Sequence, residues 1–320
     1  MAILETPLAR ALLARRRSQA WREAVTFYLC VAPWVLGFLL FTLGPMVASL
    51  IISLTDWDLL TPLRQATFRG LQNYVRILSQ DEDFRQALKV TITYAIFAVP
   101  LRLSVALILA VLLNEATKAV GLFRTIFYLP AIVASVAAAV LWQWILNPVY
   151  GPVNGALSLF GIQGPRWFSD PRYALWGLII MSAWGVGGEM LIFLAGLKGI
   201  PRHLYEAAQI DGASRAVRFF RVTLPMLSPT IFFNLVMSVI GTFQTFDTAY
   251  VISTARAGNL GGPLKSTLFY MLYLYRRAFG DFKMGYATAL AWLLFMIIMI
   301  LTLIVQRTSR LWVYYEAERR

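Results

Sequence analysis

The chain has 320 residues, of which 59% are hydrophobic and only 14% are charged, and it carries a net charge of +13. Ordinary soluble chains contain about 45–50% apolar and about 25% charged residues, so too few charges are present to cover the surface of a soluble fold. A disordered chain would be polar instead. The basic residues are set among long apolar segments, which argues against nucleic-acid binding. The composition therefore predicts a polytopic membrane protein.

Six segments are apolar over the length that a membrane span requires. A bilayer core of ~30 Å needs about 20 apolar residues in a helix, and this predicts an all-α fold with six transmembrane helices. The segments are 27–54, 88–113, 122–146, 173–197, 227–252 and 285–306. An even number of spans places both termini on the same side of the membrane.

The distribution of Lys and Arg predicts which side that is. The side that holds both termini carries 16 of the 29 basic residues, and five of these lie before the first span. Because positive residues favour the cytoplasmic side, we expect cytoplasmic termini. The loop 253–284, with five basic residues, is the exception to the bias. The predicted division is 1–26 as a cytoplasmic segment, 27–306 as the six-span domain and 307–320 as a cytoplasmic tail.

The chain contains a single cysteine and a single histidine. Cys30 lies inside the first apolar segment, so an internal disulfide is excluded. His203 lies in a polar loop, so neither a site with several histidines nor serine–histidine hydrolysis is expected. No Gly-Lys-Ser/Thr phosphate loop is present either. We expect a protein that is not an enzyme and holds no metal or cofactor of its own.

The loop between spans four and five has the pattern of a helix–turn–helix on the membrane surface. Pro201 suits the first turn of a helix, and Asp211-Gly212 suits a left-handed helix end. A second helical stretch follows at 215–221. The small residues Ala207 and Ala208 would let another backbone approach closely. The alternative is a well-capped loop that packs only on its own domain.

The same loop carries a motif that resembles the EAA loop of ABC-importer permeases. Its positions are Glu206, Ala207, Ala208, Asp211, Gly212 and Ala213, followed by Phe219, Val222, Leu224 and Pro225. Further stretches resemble the maltose-type sugar permeases. These are Pro33-Trp34, Ser53-Leu54-Thr55-Asp56-Trp57, Gly70-Leu71-Gln72-Asn73-Tyr74, Phe243-Gln244-Thr245-Phe246-Asp247 and Gly261-Gly262-Pro263. The resemblance extends over nearly the whole chain from Phe27, and it is to the shorter six-span members of that group.

The resemblance implies a location in a bacterial or archaeal inner membrane, and it implies how such a chain would be driven. In that family the loop forms a coupling helix that docks on an ATPase subunit, so Glu206 to Ala213 are expected to receive its motion. ATP and Mg²⁺ would bind to that separate subunit. The expected partners are a second homologous permease, two ATPase subunits, an extracytoplasmic sugar-binding protein, a sugar substrate and membrane lipid, with no nucleic acid.

Two acidic residues inside predicted spans are candidates for the substrate pathway. Intramembrane carboxylates are costly and usually face a cavity or a partner. Glu189 is expected either to line the pathway or to pair with Arg102 of span two. Asp247 lies near the end of span five.

A polar face on span five is the second candidate. Ser238, Thr242 and Thr245 recur at helical spacing, and the resemblance implies that this stretch lines the sugar site. The alternative is that these hydroxyls only bond across helices. The full set of expected pathway residues is Trp184, Gly185, Gly188, Glu189, Ser238, Thr242, Gln244, Thr245 and Asp247.

The sequence thus predicts one membrane subunit of an ATP-driven sugar importer that works by alternating access. Transport of another solute, such as a glycerol phosphate derivative or an oligopeptide, is the nearest alternative. An ion-coupled secondary transporter that uses Glu189 and Asp247 is the alternative from a different class.

Overall fold

The computed structural model describes residues 7–115, 119–257 and 260–314, and these form helices joined by turns. Of the expected terminal segments 1–26 and 307–320, residues 1–6 and 315–320 lie outside the described residues, and most of the remainder continues the first and last helices. The helices are α1 Pro7–Phe38, α2 Gly44–Ser53, α3 Gln72–Gln80, α4 Glu82–Glu115, α5 Val120–Ile132, α6 Ser135–Ile145, α7 Pro152–Leu159, α8 Pro171–Ser182, α9 Gly187–Gly199, α10 Arg202–Ile210, α11 Arg215–Arg218, α12 Leu224–Met226, α13 Ser228–Phe243, α14 Asp247–Ala257, α15 Tyr270–Tyr275 and α16 Met284–Trp312. Short π-helical segments continue α1, α11 and α15 at Leu39–Leu43, Phe219–Thr223 and Arg276–Gly280.

Among the described residues, four helical stretches are long and apolar enough to cross a membrane. They are Trp21–Ser53, Glu82–Glu115, Ser228–Thr254 and Met284–Trp312. Two bent helix pairs, α5 with α6 and α8 with α9, bring the number to six if each pair is one span. Every predicted segment overlaps one of these six units.

Two of the predicted spans are bent helix pairs and not single continuous helices. The segment 122–146 is bent by 100° between α5 and α6, and 173–197 is bent by 44° between α8 and α9. The first break follows Pro130, which has no N–H to continue the helical hydrogen bonds. The second contains Gly185, a residue with a low preference for helix.

Helix α4 lies at the centre of the packing. It contacts α8, α9, α13 and α15, and its residues belong to all three buried apolar clusters. Several alanines on α4 are completely buried, among them Ala98, Ala106 and Ala110. Small residues let helix backbones approach closely where lipid replaces water as solvent, so α4 can serve as the common wall for its neighbours.

Helix α9 also approaches α13 closely. A Cβ added at Gly196 would lie 2.6 Å from Oγ1 of Thr230, so only glycine fits the observed spacing. The same helix therefore contacts both α4 and α13, and the space between the three helices is fixed.

The first long helix lies apart from this core. No residue in the most apolar part of Trp21–Ser53 is buried, and its main contact is between α2 and α16. That contact includes a hydrogen bond of 3.2 Å from Trp292 Nε1 to Ser49 Oγ. The helix therefore presents an apolar face that the rest of the chain leaves uncovered.

Candidate functional site: a polar cavity and a surface helix pair

A cavity of about 390 Å³ lies between α4, α9 and α13. Its walls combine polar and apolar side chains, as expected for a small-molecule site. The polar lining residues are Tyr94, Arg102, Glu189, Asn234, Ser238, Thr242 and Thr245, and the glycines Gly188 and Gly241 also line the cavity. The apolar lining residues are Ile192, Phe233 and Met237.

The hydroxyl groups of α13 lie on one face, as their spacing predicts. Thr242 Oγ1 donates to the Ser238 carbonyl at 2.6 Å, and Asn234 Nδ2 donates to the Glu189 carbonyl at 3.5 Å. The hydroxyl of Ser238 is buried without a hydrogen-bond partner. Buried polar groups are almost always paired, so this unpaired hydroxyl beside the cavity is an exception.

Glu189 satisfies both expectations that the sequence left open. Its Oε1 accepts a hydrogen bond from Nη2 of Arg102 and forms an ion pair with it. Both residues also line the cavity. Glu189 thus pairs with Arg102 and lines the interior at the same time.

Four of the expected pathway residues lie outside the cavity walls. Asp247 is exposed at the start of α14, where its Oδ2 accepts a hydrogen bond of 2.8 Å from Ser135 Oγ. Trp184 packs edge-on against Trp142 in a buried apolar cluster, and Gln244 is exposed. Gly185 is also absent from the walls. The turn at the end of α13 directs Gln244 away from Ser238 and Thr242. Gln244 is therefore close to these residues in sequence but does not line the cavity with them.

Tyr94 and Asn234 were missed by sequence reasoning. Asn234 lies four residues before Ser238, so extending the helical spacing backwards would have found it. Tyr94 comes from α4, and nothing in its own sequence surroundings indicates a neighbour 144 or more positions away on α13. Only the packing of α4 brings it to the cavity.

The helix pair α10–α11 forms the second feature. Helix α10 ends in a Schellman motif. The amide of Ala213 donates to the Ala208 carbonyl at 2.9 Å, and the amide of Gly212 donates to the Gln209 carbonyl at 3.1 Å. Gly212 has a φ of +77°, as its position after Asp211 predicts. The local sequence thus sets a fixed turn between the two helices.

One side of α10 is attached to the bundle and the other is free. Leu204 and Tyr205 pack against the apolar cluster that includes Leu197, and Tyr205 is hydrogen-bonded to Thr223 at 3.0 Å through their hydroxyls. On the free side Glu206 is exposed, and the side chain of Ile210 is 86% exposed. A rigid helix that presents an apolar and a charged residue outward is a surface suited to contact another protein.

A cluster of charged and aromatic side chains lies at the opposite end of α4 from α10. Asp81, which precedes α4, accepts hydrogen bonds from the hydroxyls of Tyr273 and Tyr286. Arg277 donates to the Tyr273 hydroxyl at 2.7 Å, and its guanidinium lies over that ring, 5.1 Å from the centroid. Asp83 pairs in turn with Lys265 and Arg276. These contacts join the start of α4 to α15 and α16.

Replacing Asp81 by asparagine should destabilise this end of the protein. Burial disfavours the charged carboxyl, but hydrogen bonds from Tyr273, Tyr286 and the Phe84 amide, with the charge of Arg277, keep the pKa of Asp81 below its ordinary value of 3.8. A lowered pKa means that the stabilisation is present above about pH 4 and is lost as the pH falls through the folded-state pKa. We expect Asp81→Asn to lower the free energy of unfolding by about 1–3 kcal/mol at neutral pH.

Thermal unfolding of the purified protein in detergent between pH 3 and pH 8 measures this effect. The wild-type melting temperature should be steady from pH 5 to 8 and fall in the acid range, and the variant should lack the part of that fall due to Asp81. The same melting temperature at pH 7 for both proteins would contradict the role given to Asp81. Glu82→Gln, next in sequence and without an ion pair among the described residues, is the matched control.

Several apolar helices, a central polar cavity and a surface helix pair define a multi-pass membrane permease. Residues 102–311 match the family model of the binding-protein-dependent transport system inner membrane component. The chain belongs to this family, whose members are transport components.

Relatives over nearly the full length agree with this assignment. The chain is 47% identical to the probable ABC transporter permease protein YesP of Bacillus subtilis, over 95% of this chain and 97% of that protein. It is 33% identical to the trehalose/maltose transport system permease protein MalF of Thermococcus litoralis, over 91% of this chain and 95% of that protein. Among solved structures, a bacterial alginate ABC transporter in complex with an alginate pentasaccharide-bound periplasmic protein matches with a TM-score of 0.77 and 25% identity. That match covers 91% of this chain and 96% of the matched chain.

Proposed function

We propose that this chain is one of two membrane-spanning subunits of an ATP-driven importer for a saccharide. In this mechanism an extracytoplasmic binding protein delivers the saccharide, and the cavity between α4, α9 and α13 opens first outward and then inward. The motion comes from ATPase subunits that dock on α10. The ATP and Mg²⁺ belong to those subunits.

The observation that carries the proposal is the composition of the cavity. Hydroxyl, amide and charged groups line it together with the apolar side chains of Ile192, Phe233 and Met237. Saccharides combine hydroxyl edges with apolar ring faces, so this combination suits them. MalF is named for trehalose and maltose, which are neutral, and the alginate transporter for an acidic polysaccharide. Both names support a saccharide substrate, and they leave its charge open.

Coupling to ATP hydrolysis is assigned to α10 and the turn that follows it. The exposed side of α10, with Glu206 and Ala207, would contact the ATPase subunit, while Tyr205 and Leu204 hold the helix to the bundle. A push on α10 would therefore reach α9 and α4, since both contribute to the same apolar cluster. That cluster continues along α4 towards the cavity wall.

A second permease subunit is the occupant we propose for the uncovered faces. Phe233 and Met237 are 50% and 53% exposed although they line the cavity, so the cavity is open on that side. The apolar face of Trp21–Ser53 is also uncovered. A homologous subunit packed there would close the cavity, and the remaining apolar surface would contact lipid.

The six-span topology with cytoplasmic termini also belongs to this proposal. Three of the five basic residues in the exceptional loop 253–284 are held in ion pairs, namely Lys265, Arg276 and Arg277. In contrast, the basic side chains at the α10 end form no ion pair within the described part of the chain. Because the three ion-paired charges are neutralised by neighbouring carboxylates, the loop 253–284 opposes the usual bias less than its number of basic residues suggests.

Uptake by the complete transporter in proteoliposomes tests the proposal. With the second permease, the ATPase subunits and the binding protein present, saccharide should accumulate only when ATP and the binding protein are supplied. Accumulation should continue after proton and sodium gradients are dissipated. Uptake by this chain without ATPase subunits, and its collapse with those gradients, would instead support an ion-coupled transporter.

A further inference from the structure

Arg102 and Glu189 are the charged residues among the described side chains that line the polar cavity. We propose that this pair selects substrates by charge: it binds uncharged saccharides through their hydroxyl groups and excludes saccharides that carry a carboxylate. The inference rests on the proposed saccharide transport and adds a selectivity that the transport function alone does not require.

The geometry leaves one polar atom on each residue of the pair open to the cavity. The ion pair is made by Nη2 of Arg102 and Oε1 of Glu189. Nη1 of Arg102 and Oε2 of Glu189 have no hydrogen bond to the described residues, and neither is among the buried atoms without a partner. Both atoms are therefore accessible, and because both side chains line the cavity they are reached from it.

A hydroxyl group matches this arrangement better than any charged group does. It can accept a hydrogen bond from the guanidinium and donate one to the carboxylate, and two adjacent hydroxyls on a sugar ring can do both at once. Hydrogen bonds to charged groups are among the stronger ones.

A carboxylate does not fit, because the pair is already neutral. A carboxylate that approached Arg102 would stand close to Glu189, and the cavity would then hold an excess negative charge. Such a charge is poorly solvated in the interior of a membrane protein. A bound carboxylate would also compete for the guanidinium on which Glu189 depends. The intact pair therefore opposes acidic sugars and accepts neutral ones.

The test uses the complete transporter in proteoliposomes and a defined mixture of probes. The mixture contains neutral oligosaccharides and their uronate counterparts of the same length and linkage, in equal amounts. Mass spectrometry of the vesicle contents then gives the uptake of each member. We expect the wild-type transporter to accumulate neutral members in preference to their uronate counterparts.

Substitutions in the pair should change this preference in opposite ways. Glu189→Gln leaves Arg102 without its counterion, so uptake of neutral members should fall about tenfold or more and uptake of uronates should rise. Arg102→Gln should lower neutral uptake by a similar factor and give no uronate uptake. Arg172→Gln, which removes an exposed ion-pairing arginine at the start of α8 and outside the cavity walls, is the matched control and should change neither.

The charge-swapped protein, with Arg102→Glu and Glu189→Arg together, guards against failure of the single variants to fold. It keeps the cavity neutral, so it should assemble and prefer neutral saccharides. Equal uptake of neutral and uronate members by the wild type, or an equal effect of Glu189→Gln on both, would overturn the charge selection while leaving saccharide transport intact. Uptake of no saccharide by an assembled wild type that hydrolyses ATP would overturn the proposed function itself, and this inference with it.

Discussion

Replacing Gly212 by valine should stop transport without preventing assembly of the transporter. Gly212 has a φ of +77°, a conformation that costs an L-residue about 1–2 kcal/mol and a β-branched residue more. Relief of this strain would alter the turn between α10 and α11, and with it the direction of the exposed face of α10. A change of 1.4 kcal/mol alters the population of the competent conformation about tenfold. We therefore expect at least about a tenfold loss of ATP-dependent uptake, with ATP hydrolysis continuing.

Gly199 supplies the matched control for this substitution. It ends α9 close to the same loop, and nothing lies within 4 Å of a Cβ placed there. Gly199→Val should therefore leave uptake near the wild-type rate. Glu206→Ala, on the exposed face of α10, should uncouple hydrolysis from uptake in the same way as Gly212→Val. Normal uptake by both Gly212→Val and Glu206→Ala, in complexes present at wild-type amounts, would refute the coupling role.

Filling the cavity from Gly188 should have the second large effect. Gly188 lines the cavity, and a Cβ built there meets nothing within 4 Å. Gly188→Leu would consequently place its side chain in the space of about 390 Å³ without disturbing the helices. We expect at least about a tenfold rise in KM or fall in uptake, since the displaced contacts need to account for only about 1.4 kcal/mol.

Gly185→Leu is the control for Gly188→Leu. It also tests the expectation from sequence that Gly185 belongs to the substrate pathway. Gly185 lies one turn earlier, is equally free of neighbours at its Cβ position and is not part of the cavity wall. Gly185→Leu should therefore transport at close to the wild-type rate. Equal losses in the two variants would show that helix flexibility near the break before α9, and not the volume of the cavity, limits transport.

The parts of the site that the sequence predicted correctly are those that depend on a few neighbouring residues. The turn at Gly212 was predictable because Asp-Gly after a helical stretch encodes a left-handed end within a few residues. The face formed by Ser238, Thr242 and Thr245 followed from helical spacing alone. Trp184 and Gly185 were misplaced because the break between α8 and α9 changes the direction of the chain just before Gly188.

The membrane character of the chain was determined by the sequence itself. A chain with 59% hydrophobic and 14% charged residues cannot bury its apolar surface in a soluble fold of this size. Its apolar residues instead form six segments of spanning length. The structure adds where the excess positive charge is paired. Part of it is neutralised by Asp81, Asp83 and Asp281 at the end of α4 far from α10.

Only the tertiary structure decided which polar residues meet. Arg102 and Glu189 are 87 positions apart, and Tyr94 and Ser238 are further apart still, so no periodicity within one helix relates them. Small residues on α4 and Gly196 on α9 allow three helices to approach closely enough to enclose a cavity. The physical reason is that a helical pattern fixes the face on which a side chain lies, whereas packing between helices fixes what that face meets.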